Sequence, residues 1–487
     1  MRGACEGLTA RMILEATGGR GVAGDLEKTF EGLETDSRQI GPRFIFWALR
    51  GERFDGHDFV AEAAERGASG AVVTPGRFGA SDFAEDFTLI EVPDTLKALG
   101  DLAAWWRSRH KPFVVAVTGS AGKTTTKEMI AEILALSAPT LKTEGNFNNL
   151  IGLPLTLLRL RPETERVVLE MGMNRPGEIA RLTRIARPHV GLITNVAKAH
   201  LEGVGDLEGV ARAKTELIRE MPADGRVVLN GDDALLLRTA RSIRPDAMTF
   251  GLGQDNDVRA VGLEVGRKGE VSFTLVCGSG RWPVKLPGYA LQDVQNALAA
   301  AAVGFCLQID PGEIILGLGR FRGLPGRFQV TALRDGARLV DDTYNANPAS
   351  LKAGLESLEA MAGPESEIII GLGEMMELGE ETHSAHREAG RMAASLKPVL
   401  FLALGAHGPA MVQGALEGGL EEDRVLLMRS HEELAQRIIE STGRETIVFL
   451  KGSRMAGMDR VARQITDRLK SAAAAPTGKE ETACSTN

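Results

Sequence analysis

The chain has 487 residues, with 65 acidic against 57 basic side chains and a formal net charge of −8. A chain this long exceeds one ordinary core and implies roughly two to four domains, and apolar and charged fractions of 43% and 25% are those of a globular protein. The acidic balance argues against a nucleic-acid binder held by phosphate contacts, which carries a basic excess; the cysteines Cys5, Cys277, Cys306 and Cys484 lie far apart with no CxxC pair, so neither a disulfide framework nor a zinc site is expected.

In chain order, the opening MRGACEGLTARMILEATGG has no apolar signal-peptide core, and no stretch approaches the roughly 20 apolar residues of a membrane span. A cytoplasmic protein without stable membrane insertion is expected. Residues 1–93 mix short β-rich pieces (FIFWAL, GAVVT, FTLIEV) with the helical FVAEAAERGA. Residues 94–330 open on the helix-like DTLKALGDLAAWWRSRH. They continue through the apolar runs VVAVT, RVVLEMG, VGLITNV and GRVVLNGDD, each separated by helical segments. That rhythm predicts βα units around a largely parallel sheet. A glycine-rich run, GLGRFRGLPGRF (317–328), precedes residues 331–470. There RLVDDTYN, EIIIGLG, PVLFLALG, RVLLM and TIVFLKGS predict a second, Rossmann-like α/β domain. The small, polar, aperiodic residues 471–487 read as a disordered tail. The fold class is therefore α/β in three domains.

The chemistry starts at VVAVTGSAGKTTTKEM (114–129). After the strand, Gly119, Ser120, Ala121 and Gly122 turn without side-chain obstruction. The backbone N–H groups there and at the start of the next helix favour phosphate, reinforced by the helix dipole. Lys123 reaches terminal phosphates, the Thr124 hydroxyl suits Mg²⁺, and Thr125 extends the same turn. The pattern G-x-x-x-x-G-K-[ST] is not met in full, since Val117 stands where its first glycine belongs. The alternative is a glycine turn bearing an exposed lysine.

Later strand ends carry polar groups where ligands gather in open α/β sheets. Glu170 closes RVVLE, and a carboxylate at the end of a buried strand is costly unless paired or bound to a cation. His200 follows VGLITNV, and Lys214 lies in ARAKTELI, which should be helical. Singly, these read as an arginine-paired carboxylate, a loop histidine and a solvated lysine; their order behind a phosphate loop favours one site.

These residues, together with TDSRQI, GERFDGHDF, TEGNFNNLIGLPLTLL (143–158), LEMGMNRPGEI, ITNVAKAHLEGVGD, NALAA, LPGRFQV, DDTYNANP and KGSR, make the chain resemble the Mur ligases, ATP-dependent amide-forming enzymes of peptidoglycan assembly. The forms NFNNLIGLP, EMGMNRPGEI and DDTYNANP resemble the branch that adds D-alanyl-D-alanine to UDP-N-acetylmuramoyl-tripeptide. The D-N-P-R motif of the diamino-acid-adding branch is absent. The resemblance implies ATP and the following site chemistry. Lys123, Glu170, His200 and Lys214 form the catalytic set, and Thr124, Glu170, His200 and a carbamylated Lys214 hold two Mg²⁺ ions. Asn296 contacts adenine, although Gln292-Asp293 replace the family's usual His-Asn before it. Arg327 reaches the phosphates, with a planar fork that suits them. Asp342 takes the ribose hydroxyls, or else is a turn aspartate. Ser37, Arg38, Asn146, Asn148 and Asn149 bind the UDP-sugar end, and Asn345, Lys451 and Arg454 complete the site from the last domain. A monomer is implied, with hinges near residue 93 and Gly323–Gly326 closing over a water-sensitive acyl phosphate. A different amine acceptor within the superfamily, or a regulatory phosphate-loop ATPase, are the alternatives.

Overall fold

The computed structural model describes residues 5, 7–51, 54–197, 201–265, 270–287, 290–363 and 366–470. It is α/β throughout. The chain divides into two compact units, the first running to Leu263 and taking in Ser272–Leu286 and Asp293–Phe321, the second mainly from Arg322 onward.

The first unit holds two larger sheets. One has five strands in the order Arg20–Ala23, Thr88–Glu91, Gly70–Val73, Phe44–Trp47, Gly32–Glu34, parallel except for the antiparallel Arg20–Ala23 edge. The apolar pieces FIFWAL, GAVVT and FTLIEV are three of these strands, fully buried, as runs without alternation should be when both faces are covered. The other sheet has nine strands. Its parallel centre runs Thr140–Lys142, Arg166–Glu170, Phe113–Thr118, Val190–Ile193, Arg226–Asn230, Met248–Gly251. Three eight-residue strands, Val258–Val265, Glu270–Cys277 and Gly280–Pro287, extend it at one edge.

Helix Thr95–His110 joins these two sheets into one core. Asp94 caps it by accepting from the Lys97 amide (2.9 Å), and its buried face of Ala98, Leu99, Leu102, Ala103 and Trp106 shares a cluster with Ile13 and Trp47 on one side and Val114 and Leu153 on the other. Trp47 Nε1 donates to Thr95 O (2.7 Å) and Trp106 Nε1 to Leu160 O (3.2 Å), so both indoles are buried with their polar atom satisfied.

The second unit is built on a six-stranded sheet, ordered Gln329–Ala332, Arg338–Asp342, Ile447–Lys451, Ile368–Leu372, Leu400–Leu404, Val425–Met428 and parallel except for its first pair. The predicted strands of 331–470 are all present. The glycine-rich run 317–328 is not wholly a connector: helix Pro311–Arg320 continues through its first four residues.

Candidate active site

Strand Phe113–Thr118 is buried from Val114 to Thr118 and delivers the chain to Gly119 (φ 146°). Gly122 then takes φ 78°, a left-handed conformation that disfavours a Cβ, and starts helix Lys123–Leu134. A Cβ at Gly119 would collide with Thr194 Oγ1, and one at Gly122 with Asn296 Oδ1. The loop is also pinned from the neighbouring strand end. Ser120 N donates to Asn195 O (3.0 Å), Ala121 N to Asn195 Oδ1 (2.9 Å), and Thr194 Oγ1 to Ala121 O (2.6 Å). Ser120 Oγ donates to Ala197 O (3.0 Å). Lys123 Nζ lies over the loop, donating to Gly119 O at 2.8 Å. Thr125 is buried behind the turn.

Asn296, also buried, sits against the back of this loop. Its Oδ1 accepts from Thr126 Oγ1 (3.1 Å), and its Nδ2 donates to Asp293 Oδ1 (3.2 Å). Asp293, one of the two departures from the family pattern, thus orients the asparagine.

Glu170 ends its strand 2% exposed, beside Val117 in register. Its amide donates to Thr143 Oγ1 (3.0 Å) and its Oε1 accepts from Asn148 Nδ2 (2.8 Å). Oε2 is buried with no hydrogen-bond partner among the described residues. Asn148 is held there by its backbone as well, its carbonyl accepting from Gly172 N (2.8 Å). Asn149 instead caps helix Gly152–Leu157, with Oδ1 accepting from the Ile151 and Gly152 amides. Asn146 is exposed.

Lys214 is the last residue of helix Leu207–Lys214 and is fully buried. Its Nζ has no partner among the described residues. Burial, then the nearby charge of Lys123, push its pKa well down, against the opposing pull of Glu170 and Glu216. The structure therefore gathers Lys123, Glu170 and Lys214 into one electrostatic neighbourhood. His200 lies outside the described residues. Among the described residues no three His, Cys, Asp or Glu side chains form a metal cluster.

Ser37 and Arg38 occupy the turn after strand Gly32–Glu34 in the first sheet. Ser37 Oγ donates to Glu62 Oε2 (3.2 Å), while the exposed Arg38 forks onto Asp36 at 2.8 Å through both Nε and NH2. In GERFDGHDF, His57 is structural: its ring bridges Asp55 and the Thr74 amide.

In the second unit, Asp342 and Lys451 face each other on parallel neighbouring strands and form a buried pair, 2.5 Å apart. Asp342 Oδ1 accepts from Phe328 N (3.2 Å), and Lys451 Nζ also donates to Asn345 O (3.2 Å). Burial outweighs these partners and holds the Asp342 pKa above the ordinary carboxylate value. Arg327 lies over the Tyr344 ring, 4.1 Å from its centroid, and the exposed Arg454 lies 5.7 Å from it. Tyr344 thus gathers two predicted arginines. Sequence reasoning assigned no role to it, to Asn195 or to Lys127. Lys127 is wholly buried, donating to Thr143 O (2.6 Å) and paired with Glu128. Its only sequence signal was its place one turn beyond the phosphate loop.

A parallel sheet with a glycine turn and helix N-terminus at its carboxyl end, a lysine over the turn and a buried, half-satisfied carboxylate one strand away define a phosphate-loop nucleotide-binding protein. The comparisons sharpen the class. The Mur ligase middle domain matches residues 117–304, the Mur ligase family catalytic domain residues 29–107, and the Mur ligase glutamate ligase domain residues 326–454. The chain belongs to the Mur ligase family. It is 36% identical over 443 residues to the UDP-N-acetylmuramoyl-tripeptide–D-alanyl-D-alanine ligase of Escherichia coli, covering 90% of this chain and 94% of that protein. To the Bacillus subtilis enzyme of the same name it is 34% identical over 460 residues, covering 94% and 98%. Among solved structures, MurF from Acinetobacter baumannii superposes with a TM-score of 0.85 at 33% identity, covering 95% of this chain and 100% of that one. MurF ligase from Thermotoga maritima in complex with ADP gives 0.79 at 28% identity, covering 90% and 97%.

Proposed function

We propose that the protein is an ATP-dependent amide ligase that joins D-alanyl-D-alanine to UDP-N-acetylmuramoyl-tripeptide, releasing ADP and phosphate. The observation that carries this reading is the likeness, over nine-tenths of both chains, to the E. coli enzyme of that name. The tripeptide's terminal carboxylate attacks the γ-phosphorus of ATP, forming an acyl phosphate and ADP. The D-alanyl-D-alanine amine then attacks the acyl carbon, loses a proton, and expels phosphate as the amide forms.

The chain's own residues fit this chemistry. The 119–122 turn and the N-terminus of helix Lys123–Leu134 hold the triphosphate, and Lys123 supplies a fixed positive charge. An acidic nucleophile approaching an anionic triphosphate needs further cations, and bound Mg²⁺ would supply charge neutralisation there. Thr124, Glu170, His200 and Lys214 would hold it. The unsatisfied Glu170 Oε2 fits a cation, since an ionised buried oxygen without a partner is otherwise costly. The buried, unpartnered Lys214 Nζ fits carbamylation: the neutral amine adds to CO₂, releases a proton, and becomes an anionic carbamate suited to a site of cations.

Ser37, Arg38 and Asn146 serve the UDP-sugar end, and Asn149 shapes that loop. Asn296 serves the adenine side, and Arg327, Asn345 and Arg454 act from the last domain. Asp342 acts through its pair with Lys451. Every assigned group comes from one chain, so the reading needs no second copy. No described helix is long and apolar enough to cross a membrane. Among the described residues Cys5, Cys277 and Cys306 are in no disulfide, which agrees with a reducing, cytoplasmic setting.

The test is mass spectrometry of the product formed from UDP-N-acetylmuramoyl-tripeptide, D-alanyl-D-alanine and Mg·ATP. The pentapeptide product should appear one-for-one with ADP and phosphate. Nucleotide turnover without an amide product would instead indicate a regulatory ATPase, and product only with another amine a different branch.

A further inference from the structure

The amino ends of the central strands, opposite the phosphate loop, carry a second concentration of chemistry. A cavity of about 420 Å³ opens there, lined among others by Arg107, Phe113, Arg187, His189, Asp224 and Arg226. Strand Phe113–Thr118 begins at this cavity and ends at the loop, so its six residues separate the two by roughly 17–20 Å. The cavity is therefore no extension of the nucleotide site.

Three guanidiniums face a single carboxylate in it, on a chain whose overall charge is −8. None of the three forms an ion pair among the described residues, unlike Arg387 and Arg391, which share Glu417. Arg107 is anchored by Nε donating to Ile185 O (3.0 Å). Burial and the neighbouring Arg187 charge both push its pKa down, as for a cation lacking a counter-ion. Arg187 is presented from the left-handed cap of helix Glu178–Ala186 (φ 45°), a conformation that costs a non-glycine residue of order 1–2 kcal/mol.

The rest of the lining is held in place. His189 stacks on Phe113, with centroids 4.5 Å apart and planes at 20°. Its Nδ1 accepts from Val114 N (3.0 Å), which in the neutral ring leaves the proton on Nε2 as a donor. Arg244 braces the 222–225 turn through Pro222 O (2.8 Å) and Ala223 O (2.7 Å). Planar guanidinium forks and an imidazole N–H in a braced, concave, partly aromatic setting are the donor set for a multiply charged oxyanion.

We propose that this cavity is a second binding site, for a small di- or trianion bearing phosphate or carboxylate groups. Pyrophosphate and citrate are probes of the two chemistries. The unaltered full chain, without Mg²⁺, should gain melting temperature with one or both. The gain should persist in K123A, which weakens the phosphate loop, and be lost in R187E/R226E. The probe that gives the larger gain identifies the favoured oxyanion. R187E/R226E, or R187Q/R226Q if the charge reversal impairs folding, should retain ATP-dependent turnover, showing an intact fold. No gain in the unaltered chain, or a gain that survives loss of both arginine charges, overturns the proposal.

Discussion

Asn148→Ala tests the link between the asparagine loop and the carboxylate. Glu170 is almost wholly buried, and among the described residues the one side-chain hydrogen bond on its carboxylate comes from Asn148 Nδ2 at 2.8 Å. A hydrogen bond to a charged acceptor contributes about 1.5–3 kcal/mol. At about 1.4 kcal/mol per tenfold, losing it corresponds to a factor of roughly 10–150. Where the carboxylate holds a cation, loss of such an orienting partner weakens metal affinity by about 10–100-fold. Alanine keeps the backbone bonds at this position, Asn148 N to Asn146 O and Gly172 N to Asn148 O, both 2.8 Å, so the loop should stay in place. The expected result is a Mg²⁺ requirement shifted upward by about 10–100-fold, with the rate recovering as Mg²⁺ is raised. Asn148→Asp, the same shape with a second negative charge against Glu170, should be worse than alanine. The assay is initial rate against Mg²⁺ at saturating ATP and UDP-sugar peptide. An unchanged Mg²⁺ curve with a raised KM for the UDP-sugar peptide would refute the reasoning and put Asn148 on the substrate.

Lys214→Ala should lose most activity, and a short-chain carboxylic acid should restore part of it; full activity in the alanine variant would dispose of the carbamate. Gly122→Ala forces a side chain into a left-handed backbone and against Asn296 Oδ1, which also holds Thr126. Together these should cost about 2–3 kcal/mol and weaken nucleotide binding, read by urea unfolding and ATP titration; wild-type values for both would contradict it. Glu417 is held down to about 2, first by its hydrogen bond to Arg387, then helped by Arg391. A depressed carboxylate contributes stability above its unfolded pKa, and that contribution is lost as pH falls through the folded value. Glu417→Gln should therefore flatten the fall in melting temperature between about pH 4.5 and 2, most clearly at low salt, and an unaltered slope would count against the pairing.

The parallel core was legible because its strands are buried on both faces and read as unbroken apolar runs, as in VVAVT and RVVLE. The edge strands Val258–Val265, Glu270–Cys277 and Gly280–Pro287 were not. VRAVGLEV is exposed or half-exposed over its second half, so neither a continuous run nor a clean alternation marks it. At the site, the residue types were legible and their partners were not. Nothing local in DDTYNANP announces that Asp342 pairs with Lys451, 109 residues on; the pairing arises because their strands lie side by side in register. Likewise Asn148 and Asn149 read alike in the sequence, yet one turns to Glu170 and the other caps a helix.

The same dependence on neighbours accounts for the incomplete phosphate-loop pattern. A glycine at 117 would give a longer, self-supporting turn, but Val117 is fully buried in the strand, paired in register with Glu170 on one side and Leu192 on the other. Extending the turn back to 117 would cost that packing and the register that sets Glu170 beside it. The loop here is instead short, and its shape is imposed from outside. Thr194, Asn195 and Ala197, on the segment leaving strand Val190–Ile193, hold Ser120 and Ala121 through hydrogen bonds of 2.6–3.0 Å. That segment leads directly toward His200 in sequence. The shape of the loop is therefore set by one stretch of neighbouring backbone. Asn195→Ala should weaken ATP binding, read by titration, although Asn195 lies 74 residues along the chain from Ala121.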